Sequence, residues 1–212
     1  MASERGSATL PTNGREHRII VAGFGGQGVL TLGKVLCTAA MSEGKIVTYL
    51  PSYGAEVRGG TANCQVVISN DTVYSPLVER ADSLIIMNQL SYDKFAGRVK
   101  PQGLLLVNSS VIELDEVPVE GPATVLALPA TEMAAEMGNV RIANVILLSA
   151  FVTMTHLVGQ ESCTAALEGL LGERKASLMD LNMQAMRRGV DLAASTQTQP
   201  LPVSGAPAGK TT

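Results

Sequence analysis

The feature that most constrains the fold is an apolar run that ends in a glycine-rich turn and continues into a helical pattern. Residues 18–22 (RIIVA) are mostly β-branched or apolar, as is typical of a buried strand. The turn AGFGGQG follows, and apolar side chains then recur at the spacing of one helix face, at Val29, Leu32, Val35, Leu36 and Ala39. A strand that passes through a tight turn into a helix indicates a chain of alternating strands and helices.

The rest of the chain continues this alternation. Further strands are predicted at residues 45–50, 62–69, 83–87, 104–107 and 124–128, and the turn Asn70-Asp71 leaves room for a short return strand at 72–74. Helices are predicted at 90–99, 131–137, 143–157, 163–170 and 175–191. Several strands are apolar on both faces, which predicts an α/β fold: a Rossmann-like open, mostly parallel sheet flanked by helices, with a helical C-terminal part. Residues 62–69 alternate more, so an antiparallel or edge strand is expected there.

The two ends of the chain differ in composition from the middle. Residues 1–16 and 192–212 consist mainly of Ser, Thr, Gly, Ala, Pro and charged residues, and they lack the apolar side chains whose burial would stabilise an ordered conformation. We therefore predict disordered tails at 1–16 and 192–212, and one folded domain at 17–191.

Charge and hydropathy exclude several classes of partner. The formal net charge is −3, no basic block is present, and aromatic residues make up only 3%, which argues against nucleic-acid binding. No apolar stretch reaches the length of about 18 residues that spans a membrane, and the N-terminal residues do not resemble a signal peptide. A cytoplasmic protein that contacts no membrane is predicted.

The cysteines and histidines do not suggest a metal site. Cys37, Cys64 and Cys163 are far apart in sequence and have no CxxC or CxxH spacing, so they are expected to be buried, reduced thiols. His17 is expected to be solvated at the edge of the N-terminal tail, whereas His156, in an apolar helical segment, is expected to be buried.

The glycine-rich turn itself is a candidate anion site. Gly23, Gly25 and Gly28 have G-x-G-x-x-G spacing, with an additional Gly26, and glycines in such a turn let backbone N–H groups approach an anion at the helix N-terminus. A dinucleotide site would also need an acidic residue at the end of the second strand, but that strand ends in TYLP. Three interpretations remain open: a phosphate or pyrophosphate site, a tight turn without a ligand, and a complete nicotinamide site. Gln27 could bond a ligand or a neighbouring subunit.

The second candidate segment is PSYGAEVRGGTANCQV, at residues 51–66. It follows the second strand, so we expect it to lie on the same rim of the sheet as the first turn. Glu56 and Arg58 could form an ion pair, or Arg58 could bind a carboxylate or phosphate, and Gly59 and Gly60 permit positive φ and close backbone approach. An exposed turn with a solvated arginine is the alternative.

Together, AGFGGQGVLTLGKVL and PSYGAEVRGGTANCQVVIS resemble the gamma subunits of the 2-oxoacid:ferredoxin oxidoreductases. The resemblance covers residues 18–190 and includes NVRIANVILLSAF, in which Asn144 matches a family asparagine. The form of the second motif is closer to the 2-oxoglutarate type than to the pyruvate type.

The resemblance implies a subunit of a larger enzyme. Alpha and beta subunits would carry thiamine diphosphate and Mg, and a ferredoxin-type subunit would carry [4Fe–4S] clusters or deliver electrons to ferredoxin. The complex would oxidatively decarboxylate a 2-oxoacid to an acyl-CoA (succinyl-CoA from 2-oxoglutarate), reduced ferredoxin and CO2, or run the reverse reaction. This chain lacks a thiamine-binding motif and cluster cysteines. It is therefore expected to be inactive alone, with no catalytic residue or metal ligand of its own.

The candidate binding residues come from both segments and from the matching asparagine. Residues 25–28 and 53–61 are expected to line the approach of coenzyme A at the interface with the thiamine-bearing subunits. The full candidate set is Gly23, Gly25, Gly26, Gln27, Gly28, Ser52, Tyr53, Glu56, Arg58, Gly59, Gly60, Thr61 and Asn144. Two alternatives are a stand-alone regulator that binds a nucleotide or acyl-CoA, and a gamma subunit for an aryl or branched 2-oxoacid.

Overall fold

A computed structural model describes residues 16–53, 60–114, 123–172 and 176–195. The strands are β1 (Glu16–Phe24), β2 (Ile46–Tyr53), β3 (Thr61–Ser69), β4 (Ala81–Ile86), β5 (Val99–Asn108) and β6 (Thr124–Leu128). The helices are α1 (Val29–Ser42), α2 (Gln89–Phe95), α3 (Ala130–Glu136), α4 (Ala143–Thr155), α5 (Gln160–Leu171) and α6 (Ala176–Ser195), with 3-10 turns at Ala96–Arg98 and Val140–Ile142.

The strands form one sheet in the order β2-β3-β1-β4-β5-β6. β1, β4, β5 and β6 are parallel, while β3 is antiparallel to both of its neighbours. The predicted α/β fold with a mostly parallel sheet is confirmed, and so is the antiparallel strand at residues 61–69. β3 is not an edge strand, however, because β2 pairs along its other side and is itself the edge.

The two faces of the sheet are covered unequally, and β1 shows how. Ile19 and Val21 point into a large core that also contains apolar residues of α1, α3, α4, α5 and α6. Ile20 and Ala22 point the other way, into a smaller core shared with α2. Successive side chains of a strand face opposite sides, so a short run such as RIIVA supplies both cores. All four of these side chains are fully buried, which explains why the run is apolar throughout.

Some element boundaries differ from the predicted ones. Residues 72–74 are not a strand. β5 begins at Val99, five residues before the predicted start, because the strand continues through an irregularity in its pairing with β4 near Gln102, whose φ is 64°. α6 ends at Ser195, beyond the predicted end at 191, and Ala193 near its end is buried. Residues 1–15 and 196–212, where most of both predicted tails falls, lie outside the described residues. None of the described helices is long and apolar enough to cross a membrane.

Both histidine predictions were wrong. His17 lies in β1 and is half-buried, with Nε2 2.9 Å from the Ser83 hydroxyl oxygen. The pKa of His17 is lowered, chiefly because burial disfavours the charged ring and also because Lys100 repels it, while Asp82 partly opposes the shift. His156 is exposed, since α4 ends at Thr155 and His156 takes the left-handed conformation (φ 50°) that terminates the helix.

The lowered pKa of His17 predicts a loss of stability in acid. A ring whose pKa is lower in the folded state takes up a proton more readily when the chain unfolds. The contribution of His17 is therefore complete above its unfolded pKa of about 6.5, and it is lost as the pH falls through that value towards the lower folded pKa. Between pH 7.5 and 5.5 the free energy of unfolding should fall less in His17→Gln than in the wild type, as measured by urea denaturation. His156→Gln, at the exposed histidine, is the control and should behave like the wild type. Equal pH dependence of all three proteins would contradict the prediction.

Candidate functional site

The turn after β1 and the segment after β2 lie at the same edge of the sheet. β1 and β2 run in the same direction because both are antiparallel to β3, which lies between them. At this rim the Gly25 N–H donates a hydrogen bond to the Gly60 carbonyl oxygen over 3.0 Å. Next to this bond, Thr61 of β3 is the strand partner of Phe24 of β1. The expected proximity of the two segments is thus confirmed for their described parts, whereas residues 54–59, with Glu56, Arg58 and Gly59, lie outside the described residues.

The glycine-rich turn presents an open backbone at the start of α1. Gly26 and Gly28 have φ values of 98° and 79°, which residues other than glycine rarely adopt. Gly25 and Gly26 are exposed, and a Cβ placed on Gly26 would have no atom of a described residue within 4 Å. Within the described part of the chain no side chain caps α1, and its first turn has no acidic residue. An accessible helix N-terminus of this kind carries a partial positive charge and suits an anion.

Gln27 holds this turn to the neighbouring strand. Its Oε1 accepts a hydrogen bond from the Phe24 N–H at 2.7 Å, and its Nε2 donates to the Met87 carbonyl oxygen at 3.0 Å. These bonds link the ends of β1 and β4, where the chain order in the sheet reverses and open α/β sheets place their ligand crevice. The Oε1 and Nε2 atoms of Gln27 therefore both form hydrogen bonds within the chain. The sequence left open a ligand or a neighbouring subunit as the partner of this side chain.

The topology of the sheet does not fit a complete nicotinamide site. In such a site the acidic residue that binds the ribose ends the parallel strand beside β1. Here the antiparallel β3 takes that place, so the end of β2 is two strand spacings away, about 10 Å. β2 also ends in TYLPSY, without a carboxylate. The arrangement favours recognition of a phosphate group alone over recognition of a whole dinucleotide.

Asn144 lies beside the turn although it is distant in sequence. Its Nδ2 donates to the Gly28 carbonyl oxygen at 3.3 Å, and its side chain is buried. A Cβ on Gly28 would lie only 2.2 Å from that nitrogen, so glycine is required there for space as well as for φ. Asn144 therefore positions the turn against α4.

The other candidate residues lie at the ends of β1 and β2. Gly23 is enclosed, since a Cβ there would lie 2.9 Å from the Cβ of Met87 and 2.7 Å from Oε1 of Gln27. Ser52 is exposed near the end of β2 and pairs with Asn63, and the backbone of Tyr53 pairs with Ala62. Ser52 and Tyr53 are separated from the turn by the width of β3, whereas Gly23 lies at the end of β1 that leads into it.

Two polar residues on the rim were missed in the sequence. Asn88 follows β4 and Asn108 ends β5, and both are buried. Asn108 exchanges hydrogen bonds with Thr131, whereas the Nδ2 of Asn88 has no partner among the described residues. The sequence contained a signal for both residues, because an asparagine directly ends each of the apolar runs SLIIMN and LLLVN.

The cysteines are unsuited to redox or metal chemistry. All three are free and buried, and burial raises the pKa of each thiol to about 12. Within residues 16–53, 60–114, 123–172 and 176–195, no group of three His, Cys, Asp or Glu side chains could hold a metal ion.

Comparison with known proteins identifies the family. Residues 18–192 match the model of the family described as pyruvate ferredoxin/flavodoxin oxidoreductase. The chain belongs to this family. The resemblance to gamma subunits is confirmed by relatives from within it. A 2-oxoglutarate synthase subunit, KorC, from Methanocaldococcus jannaschii is 33% identical over 177 residues, which are 82% of this chain and 92% of the relative.

Relatives in the pyruvate ferredoxin/flavodoxin oxidoreductase family are named for different oxoacids. The ketoisovalerate oxidoreductase subunit VorA from Methanothermobacter marburgensis is 37% identical over 180 residues, or 84% of this chain and 37% of the relative. This chain therefore spans little more than a third of the length of the VorA relatives that it matches. A pyruvate synthase subunit, PorC, from Methanosarcina barkeri is 30% identical over 157 residues, or 70% of this chain and 83% of the relative.

Solved structures have the same fold. A keto/oxoacid ferredoxin oxidoreductase gamma subunit from Geobacter sulfurreducens superposes with a TM-score of 0.72 at 28% identity, covering 85% of this chain and 97% of that one. The 2-oxoglutarate:ferredoxin oxidoreductase from Magnetococcus marinus, solved with 2-oxoglutarate, coenzyme A and succinyl-CoA bound, gives a TM-score of 0.80. The identity to the Magnetococcus marinus enzyme is 24% over 92% of this chain and 34% of that one, so this similarity shows a shared fold alone.

Proposed function

We propose that this chain is the gamma subunit of a complex that oxidatively decarboxylates a 2-oxoacid, transfers the acyl group to coenzyme A and reduces ferredoxin, or runs the reverse reaction. Membership in the family and the relatives named as gamma or C subunits support this role. The chain's three thiols are buried and its sequence has no thiamine-binding motif, so cluster-based electron transfer and thiamine chemistry are assigned to partner subunits. Thiamine diphosphate would stabilise the carbanion formed on decarboxylation, and [4Fe–4S] clusters would carry the electrons away.

The observation that carries the role of this chain is the open turn at Gly25 and Gly26. Coenzyme A has a pyrophosphate and a ribose phosphate, and a helix N-terminus that follows an exposed Gly26 and has no side-chain cap among the described residues is complementary to such anions. The first turn of α1 adds no negative charge that would repel them. The proposed contribution of this chain is therefore to bind coenzyme A at the rim of the sheet, next to the subunits that perform the chemistry.

For the 2-oxoacid we propose 2-oxoglutarate. The KorC relatives support it because they combine 30–33% identity with alignment over 92–97% of their own length, against 83% for the PorC relative. The branched substrate ketoisovalerate is the second candidate, since the VorA relatives share the higher identity of 37%.

Reconstitution of the complex tests this function. The chain is co-expressed with thiamine-binding and ferredoxin-type subunits of this family from the same organism, and reduction of a ferredoxin is followed with 2-oxoglutarate, ketoisovalerate or pyruvate. We expect CoA-dependent reduction that is fastest with 2-oxoglutarate and that is lost when this chain is left out. Equal CoA-dependent rates with and without this chain would contradict the proposal, and a preference for ketoisovalerate would replace only the substrate.

A further inference from the structure

We propose that Arg141 binds an anionic group of the ligand at the glycine-rich turn, where the ligand is a phosphate ester or pyrophosphate. The inference rests on the proposed function, which assigns coenzyme A to this rim, and it deepens that function by naming a recognising side chain. No feature of the sequence alone singles out Arg141, because it lies more than a hundred residues after the turn.

The position of Arg141 follows from the contact between Asn144 and the turn. Arg141 lies in the 3-10 turn Val140–Ile142, which leads directly into α4. Residues three apart in a helical stretch share a face, so Arg141 and Asn144 lie on the same side. That side faces the turn, because Asn144 Nδ2 donates to the Gly28 carbonyl oxygen at 3.3 Å. Arg141 precedes Asn144 and is exposed, which places it at the rim end of this face.

The electrostatic setting leaves the guanidinium available for an anion. Among the described residues, no carboxylate forms an ion pair with Arg141. The first turns of α1 and α4 contain no acidic residue, and no described side chain caps α1. The 3-10 turn that leads into α4 is capped by the Asn139 side chain, which accepts from the Arg141 N–H. The positive end of α1 thus lies at the contact of Asn144 with Gly28, and the arginine adds a full charge that can donate two parallel hydrogen bonds to phosphate oxygens.

An independent observation on the same rim also points to an oxygen-rich ligand. Asn88 follows Met87, whose carbonyl oxygen is bonded to Gln27 of the turn. Asn88 is only 3% exposed, its Oδ1 accepts from the Ser91 N–H at 2.8 Å, and its Nδ2 has no partner in the described part of the chain. Buried amide donors normally have an acceptor, so this rim holds a second donor besides Arg141.

Steady-state kinetics on the assembled complex test the role of Arg141. In R141A we expect the KM for coenzyme A to rise about ten- to a hundredfold, the range for losing a charged hydrogen bond. The kcat and the KM for the 2-oxoacid should stay near their wild-type values, and R141K should recover part of the loss. R187A removes an exposed arginine from α6 and is the matched control, expected to behave like the wild type.

Repeating the series with 3′-dephospho-CoA identifies the phosphate: the effect of R141A disappears if Arg141 binds the 3′-phosphate and persists if it binds the pyrophosphate.

The two hypotheses fail in different ways. A wild-type complex without CoA-dependent turnover would refute the proposed function. A CoA-dependent complex in which R141A keeps the wild-type KM would overturn the role of Arg141 alone. Gel filtration covers the remaining case: if both R141A and R141Q dissociate from the complex, Arg141 is a subunit contact and the inference is wrong.

Discussion

Replacing Gly189 by alanine is expected to lower the free energy of unfolding by about 2–3 kcal/mol, the cost of overpacking a close contact. Gly189 is buried in α6, where it packs on α4. A Cβ at this position would lie 2.3 Å from the Ile146 carbonyl oxygen, 2.9 Å from the Ser149 Cβ and 3.1 Å from the Ala150 backbone nitrogen. Two of these atoms belong to the backbone, so one helix would have to move away from the other. Urea denaturation of the full chain, followed by circular dichroism, measures the change.

The matched control is Gly169→Ala in α5. No atom of the described residues lies within 4 Å of a Cβ built there, so the substitution meets no steric cost from them. It should raise the free energy of unfolding by about 0.5–1 kcal/mol, because alanine loses less conformational freedom than glycine inside a helix. Opposite signs are therefore expected from the same chemical change. If Gly189→Ala stabilises the chain as Gly169→Ala does, α4 and α6 do not pack as closely as described.

Gly26→Ala is expected to raise the KM for coenzyme A about tenfold in the assembled complex, equivalent to about 1.4 kcal/mol of binding free energy. Gly26 has φ 98°, and no described residue comes within 4 Å of a built Cβ, so alanine meets no clash with them but is strained in this conformation by roughly 1–2 kcal/mol. The turn is expected to relax towards negative φ, which redirects the N–H groups that face the proposed anion. Steady-state kinetics with coenzyme A as the varied substrate provide the measurement.

Gly44→Ala serves as the control for Gly26→Ala. Gly44 has φ 77°, is exposed, and likewise has no atom of the described chain within 4 Å of a built Cβ, but it follows the C-terminal end of α1. Both variants should lose some stability from backbone strain, and only Gly26→Ala should change the KM. The same KM for the wild type and both variants, in complexes of the same size, would remove the turn from the coenzyme A site.

Much of the fold and part of the candidate site could be predicted from the sequence, because they depend on local patterns. β-branched runs, helical spacing and the turn AGFGGQG predicted the alternation of strands and helices, and the two motifs together predicted the family. The shared rim was also predictable, since the carboxyl ends of strands that run the same way meet at one edge of the sheet. The turn lies at the start of α1 as expected, and two of its glycines, Gly26 and Gly28, have the positive φ that such a turn requires.

The tertiary structure decided what depends on contacts between distant segments. The insertion of β3 between β1 and β2, the attachment of Gln27 to Met87, and the approach of Asn144 to Gly28 across 116 residues of sequence all depend on how the elements pack. The histidines illustrate the same limit: His17 is half-buried because β4 and β5 supply Ser83, Asp82 and Lys100 beside it, and His156 is exposed because α4 ends one residue earlier. The sequence by itself therefore determined the elements, the glycine turn and the family, since spacing and turn residues act over a few positions. Which side chains surround that turn was decided only by the tertiary structure, because burial and pairing depend on segments that the order of residues does not place together.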